Sequence, residues 1–245
     1  VNDIVANSVL PANREPIEFT TSDGLRIIGE LATPVDRVPV AAIVMAHPLP
    51  TAGGSMDSHL LRKAAWRLPA LTGMAVLRFN TRGTSSSSGT SQGAFDQAAG
   101  EGLDLRAAIA HSAALGLPAP WLVGWSFGTD VVLRHGNVDP VVGAFLISPP
   151  LRYSTEVDLD GWANPGRPVI ALVPGEDDYL RPDEARERFA RIPQAEVIGV
   201  DGAKHLWIGE PSTYRVLDTL TQYVVPDASP LPTEFDGPMT RWSDV

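Results

Sequence analysis

Trp121-Leu122-Val123-Gly124-Trp125-Ser126-Phe127-Gly128-Thr129-Asp130 leads from a short apolar segment into a serine bracketed by two glycines, then into Val131-Val132-Leu133-Arg134-His135. The Gly-x-Ser-x-Gly spacing suits a sharp passage from strand to helix that lifts the serine hydroxyl clear of the backbone, because side chains at the flanking positions would collide. The helix that follows turns its positive dipole end toward negative charge developing at the hydroxyl. Ser126 is therefore the candidate nucleophile, with a buried structural turn as the alternative. A second match, Gly89-Thr90-Ser91-Gln92-Gly93, adjoins Thr84-Ser85-Ser86-Ser87-Ser88. No apolar strand precedes it and no helix directly follows. It reads as a flexible surface loop, or as a loop that gates access.

Outward from that turn, apolar runs alternate with stretches of helical period. Upstream, Ile17 to Thr20 and Leu25 to Ala32 flank Ser22-Asp23-Gly24, the pattern of an antiparallel hairpin at a sheet edge. Val40 to Ala46 is continuously apolar, as in a strand covered on both faces. Ser58 to Leu71 carries Leu60, Leu61, Ala64, Ala65 and Leu68 at helical spacing and stops at Gly73. Ala75 to Asn80 resumes a strand, and Glu101 to Leu115 is a second helix ended by Gly116. Downstream, Val141 to Ile147 and Val169 to Val173 read as buried strands separated by a polar, proline-containing stretch. Pro182 to Ile192 is a helix, Glu196 to Val200 a strand, and Pro211 to Val224 the last helix. This alternation predicts one α/β domain over residues 1–225, with a mostly parallel sheet and helices on both faces. Pro226, Pro230, Pro232 and Pro238 interrupt residues 226–245, which are expected to form an extended surface tail.

An activated serine needs a base within hydrogen-bond reach and a third group to orient that base. Such groups sit in loops at the carboxyl ends of later strands. Asp201-Gly202-Ala203-Lys204-His205 follows the last strand and supplies His205 as the base; the alternative is a solvent-exposed loop histidine. His47 is assigned to shaping its loop, and His59, His111 and His135 to helical segments. None has zinc-type spacing, and no metal or cofactor is implied. The acid is expected in Glu176-Asp177-Asp178. Asp178 is preferred, with Asp177 and then Glu176 behind it, and the same cluster could cap the helix near Pro182. Backbone N–H groups must face the developing oxyanion. Phe127, after the nucleophile, supplies one; Pro48 and Pro50 have no N–H, which leaves Leu49 as the second.

Four segments occur in order: His47-Pro48-Leu49-Pro50-Thr51-Ala52-Gly53-Gly54-Ser55-Met56, Arg78-Phe79-Asn80-Thr81-Arg82-Gly83, Phe95-Asp96-Gln97-Ala98-Ala99-Gly100-Glu101-Gly102-Leu103-Asp104, and Gly124-Trp125-Ser126-Phe127-Gly128. Their spacing resembles that of bacterial predicted serine hydrolases of the α/β-hydrolase superfamily, which are related to dienelactone-hydrolase-like and esterase-like enzymes. The resemblance covers about residues 15 to 225. It implies an eight-stranded α/β-hydrolase fold, a Ser126–Asp178–His205 triad and carboxylesterase-like chemistry on a small-molecule ester. Leu49 stands where that family often has a second histidine, and Thr84 to Ser88 replaces its usual Val-Gly-containing turn. Ser148 to Arg167, where such enzymes often insert a lid, is short, so an open site for small or flexible acyl groups is expected. Trp162, Tyr179 and Trp207 are candidates to line it, with core or rim packing as the alternative.

A formal charge of −10 argues against nucleic acid as a partner. The absence of cysteine removes thiol catalysis, cysteine-held metal and disulfides. No apolar run reaches membrane-spanning length, and the first residues lack a signal-peptide pattern, so a cytoplasmic location is the expectation. Thioester hydrolysis, peptide hydrolysis and acyl transfer would use the same triad, and a non-catalytic binding protein could keep the fold.

Overall fold

The computed structural model describes residues 1–164 and 166–242. Its central sheet contains β1 (Asn13–Thr20), β2 (Arg26–Thr33), β3 (Ala41–Ala46), β4 (Met74–Phe79), β5 (Pro120–Trp125), β6 (Gly143–Ile147), β7 (Val169–Pro174) and β8 (Ala195–Val200). Across the sheet the order is β1-β2-β4-β3-β5-β6-β7-β8. β2 runs antiparallel to both β1 and β4. All other neighbours are parallel. β3 has β4 on one side and β5 on the other, so the chain reverses its direction across the sheet there. The crevice beyond the carboxyl ends of β3 and β5 is the place where such sheets bind ligands.

The continuous apolar runs are explained by burial on two faces. In β3, Ala42, Val44 and Ala46 join one core while Ile43 and Met45 join the other. The first core receives α2 (Glu101–Ala114), α3 (Phe127–His135), α4 (Glu156–Ala163) and α5 (Pro182–Phe189). The second receives α1 (His59–Thr72) and α6 (Glu210–Val224). In β1, by contrast, Ile17 and Phe19 are buried and their neighbours exposed, the alternation of an edge strand with one wet face.

Three features depart from the sequence reading. α4 lies in the stretch read only as polar and proline-containing; Thr155 and Asp158 form a reciprocal capping box at its start. Ser85–Ser86 and Gly89–Thr90 pair as a small, largely exposed hairpin within the serine-rich segment that was read as a loop. Residues 226–242 open with a 3-10 turn at Pro226–Ala228 and then run docked along the domain. Leu231 is buried, its carbonyl accepts the Tyr214 hydroxyl at 2.7 Å and its N–H donates to Asp218 at 2.7 Å. Glu234–Phe235 pair with Asn2–Asp3, and Thr240–Arg241 with Ser8–Val9. The last tail residues, 243–245, and residue 165 of the short connection lie outside the described residues.

Candidate active site

Ser126 occupies the turn between β5 and α3 with φ 52° and ψ −120°, a conformation L-residues adopt only under constraint. Both glycines are required by close approach. A Cβ on Gly124 would lie 2.6 Å from the Gly128 carbonyl oxygen, and one on Gly128 would lie 2.2 Å from that of Ala46. The turn is held by the Ser126 N–H to the Ile147 carbonyl at 2.9 Å and by the Thr129 N–H to the Ser126 carbonyl at 2.8 Å. The strained serine is thus fixed to β6 and backed against β3.

His205 Nε2 lies 2.8 Å from Ser126 Oγ. On its other side, Nδ1 lies 2.9 Å from Asp177 Oδ2 and 3.1 Å from Oδ1. A carboxylate can only accept, so Nδ1 carries the proton and Nε2 is left to accept from the serine hydroxyl. The acid beside the histidine is therefore Asp177, and the expectation of Asp178 is corrected. The loop after β7 is tied to the loop after β8 by Gly175 N–H to Val200 O at 2.8 Å and Glu176 N–H to Ala203 O at 2.9 Å. That path turns Asp177 inward, where it is 3% exposed, and leaves Glu176 and Asp178 facing solvent. The Tyr179 N–H donates to Asp177 Oδ1 at 2.8 Å and fixes the carboxylate further.

The histidine backbone is also held, by contacts the sequence reading did not include. The His205 carbonyl accepts the Trp125 indole N–H at 3.3 Å and the Ser148 hydroxyl at 3.1 Å. Ser148 Oγ in turn accepts the Trp207 indole N–H at 2.8 Å. The next carbonyl, of Leu206, lies 2.8 Å from Nε2 of His59, whose ring packs edge-on to Trp125. Only the Ser-Pro-Pro step after β6, which ends helical or strand continuity, marks Ser148 in the sequence.

The loop after β3 contributes Leu49. His47 is fully buried with Nδ1 2.7 Å from the Pro48 carbonyl, and its Nε2 accepts the Thr81 N–H at 3.1 Å. Burial lowers this imidazole to about 4, so it is neutral and serves as a brace for the loop. Among the described residues, neither the Leu49 nor the Phe127 N–H has a hydrogen-bond acceptor. Two free amides beside a serine are what an oxyanion requires.

A cavity of about 140 Å³ adjoins Ser126, lined by Leu49, Phe127, Tyr153, Tyr179, His205 and Asp130 among others. Of the three aromatic candidates, Tyr179 lines it, with its ring 4.7 Å from that of His205. The other two are corrected. Trp162 is fully buried and donates its indole N–H to the Leu133 carbonyl at 2.9 Å in the core behind α3. Trp207 is 1% exposed and packs in the opposite core, its N–H spent on Ser148. Ser91 is buried too. Its hydroxyl donates to Asn80 O at 2.7 Å and accepts the Ile28 N–H at 3.1 Å, a structural bridge away from the cavity.

Among the described residues, no helix is long and apolar enough to cross a membrane, and no group of three or more His, Asp or Glu side chains is arranged to hold a metal ion. No family model matches the chain. An uncharacterized protein of Rickettsia prowazekii is 28% identical over 201 residues, covering 78% of this chain and 81% of its own. An α/β serine hydrolase without a lid from Xanthomonas campestris superposes with a TM-score of 0.71 at 23% identity, over 89% of this chain and 98% of that one. An esterase of Pyrococcus furiosus gives 0.69 at 19% identity, over 86% and 93%. A putative α/β hydrolase of Agrobacterium tumefaciens gives 0.70 at 21%, over 89% and 99%. The strand order and these similarities define the α/β-hydrolase fold, with an eight-stranded, mostly parallel sheet.

Proposed function

We propose that the protein is a serine hydrolase that cleaves small carboxylic esters through an acyl-enzyme on Ser126. The observation that carries this reading is the continuous chain from Ser126 Oγ to His205 Nε2 at 2.8 Å and from His205 Nδ1 to Asp177 at 2.9 Å. Ser126 Oγ attacks the ester carbonyl carbon as its proton passes to His205 Nε2, while the N–H groups of Phe127 and Leu49 receive the negative carbonyl oxygen. Collapse of that intermediate breaks the bond to the alcohol, which leaves with the proton from His205. Water then attacks the acyl-enzyme, gives its proton to His205, and the carboxylic acid departs as Ser126 regains its hydrogen. Asp177 keeps Nδ1 protonated and the ring aligned throughout.

The serine hydrolase without a lid from Xanthomonas campestris and the Pyrococcus furiosus esterase support the same reaction class for this chain. A cavity of about 140 Å³ favours short acyl groups. The test is turnover of 4-nitrophenyl acetate, butyrate and decanoate, together with labelling by a fluorophosphonate. Ser126→Ala should lose both turnover and label without loss of fold. Turnover that survives this substitution would remove Ser126 from the reaction. A folded wild-type chain that neither turns over any ester nor takes the label would instead be a binding protein on this fold.

A further inference from the structure

The connection after β6, Ser148-Pro149-Pro150-Leu151-Arg152-Tyr153-Ser154, runs along the cavity beside Ser126, and Pro150, Arg152 and Tyr153 line it. Leu151 is buried at φ 50°, and Arg152, next along the chain, is exposed. The backbone here is gathered by Asp130, which is fully buried on α3. Its Oδ1 accepts the Tyr153 N–H at 3.1 Å, the Ser154 N–H at 2.9 Å and the Ser154 hydroxyl, and the Arg152 N–H acts on the same carboxyl. Arg152 is thus fixed by its backbone to the helix that starts at the nucleophile, while its side chain stays open to solvent at the cavity wall.

Its guanidinium has an aromatic face beside it but no anion. The guanidinium carbon lies 5.6 Å from the centroid of the Tyr153 ring, which in turn stands edge-on to Phe127 at 5.5 Å. Arg78 and Arg82 spend their guanidinium groups on Glu30 and Asp57 and on Asp23 and Asp104; Arg152 forms no salt bridge and no side-chain hydrogen bond among the described residues. The other basic group of the lining, His205, must be neutral to accept the serine proton. Arg152 is therefore the standing positive charge of this wall, in a chain whose formal charge is −10. Contact with Tyr153 occupies the guanidinium face and leaves its fork of N–H groups, which matches the two oxygens of a carboxylate.

The two sides of the cavity differ in charge. In the proposed reaction His205 protonates the leaving alcohol, which places that alcohol beside Leu206 and Tyr179. There the loop after β7 turns Glu176 and Asp178 to solvent, and an anion on the alcohol would meet like charge. The acyl portion is left to the wall of Phe127, Tyr153 and Arg152. Resting on the hydrolase reading above, we propose that the esters selected here carry a carboxylate at the far end of a short acyl chain, and that the Arg152 guanidinium receives it.

The test measures kcat/KM of the full chain, by titration of released acid at neutral pH, for monomethyl glutarate, its neutral amide counterpart methyl 4-carbamoylbutanoate, and methyl 4-(trimethylammonio)butanoate, each divided by its rate with hydroxide ion. Each is also run as a competitor of 4-nitrophenyl butyrate, so that binding is read where methyl ester turnover is slow. The carboxylate ester should exceed the amide ester by at least about fivefold, in kcat/KM or in competition, and the cationic ester should rank last. Arg152→Gln should bring the ratio of carboxylate to amide ester to about one, Arg152→Glu should bring it below one, and raising NaCl from about 20 mM to about 500 mM should shrink it in wild type. Equal or better use of the amide or cationic ester would overturn the proposal, as would a preference that survives Arg152→Gln. A carboxylate preference found instead between the acetate esters of 4-hydroxybutanoate and 4-hydroxybutanamide, where the charge rides on the alcohol, would overturn it too. If a variant fails to fold by circular dichroism, the wild-type ranking and its salt dependence still decide. Turnover of 4-nitrophenyl butyrate without charge preference removes this inference alone, whereas absence of both turnover and fluorophosphonate label removes the hydrolase reading with it.

Discussion

Asp177 receives the Nδ1 proton of His205 on Oδ2 at 2.9 Å while the Tyr179 N–H holds its other oxygen at 2.8 Å. An amide at this position would present an N–H to Nδ1 or lose the contact, and the ring would favour the wrong tautomer. Asp177→Asn is expected to lower kcat for a short 4-nitrophenyl ester by about 10³ to 10⁴. Asp178→Asn, changed at an exposed carboxylate, should stay within about twofold of wild type. Steady-state kinetics on the two purified variants decides between the acids.

His47 sets a pH limit on the fold. Burial lowers its pKa from 6.5 to about 4, so the unfolded chain binds a proton there before the folded chain does. Its contribution is present above about pH 6.5 and is lost as the pH falls toward 4, a difference of ~3 kcal/mol. His59 and His135, also lowered by burial, add to the same slope, while the raised carboxyls of Asp104 and Asp130 oppose it. The readout is therefore a difference between proteins. Urea unfolding at pH 7 and pH 4.5 should show a smaller acid loss in His47→Gln than in wild type.

Ser148 anchors the proposed base from behind. Ser148→Ala removes a donor from the His205 carbonyl and leaves the buried Trp207 N–H without its acceptor, at a cost of about 1–3 kcal/mol. With the ring freer to wander, kcat should fall about tenfold while KM changes little. A rise in KM at constant kcat would assign Ser148 to substrate binding instead.

Gly128 and Gly161 should respond to alanine in opposite directions. At Gly128 the new Cβ meets the Ala46 carbonyl oxygen at 2.2 Å, backbone against backbone, and nothing can rotate away. Gly128→Ala is expected to cost at least ~2 kcal/mol and to displace Ser126 enough to abolish turnover. Gly161, inside α4, has open space where its Cβ would go. Gly161→Ala should stabilise the fold by about 0.5–1 kcal/mol, measured by thermal unfolding.

What could be read from the chain alone follows a physical division. Ser126 and His205 were legible because close backbone approach demands glycines at fixed spacing, and because a parallel sheet delivers its loops to one rim. The two strands of the edge hairpin and the buried run of β3 were legible from periodicity. Asp177 was not separable from Asp178, since both are the same residue and the choice rests on which way the turn aims a Cβ. Trp162 and Trp207 looked like lining because large rings near a site often are. Their indole N–H groups instead find acceptors inside the two cores, at Leu133 and Ser148. α4 escaped notice because only Leu159 and Trp162 of its residues are buried, too few for a visible period. Ser148 carried no signal beyond the Ser-Pro-Pro step, as its role is defined by a partner 57 residues away.

The placement of α4 has a kinetic corollary. Trp162 donates to Leu133 on α3, and the Gly161 carbonyl takes the Asn137 side-chain N–H at 2.6 Å, so this helix is riveted to the flank of the nucleophile helix instead of roofing the serine. For the proposed ester hydrolysis, the expected consequence is entry without prior rearrangement of this helix. Progress curves recorded in a stopped-flow instrument should start without a lag, and added sucrose or glycerol should leave the saturated rate unchanged.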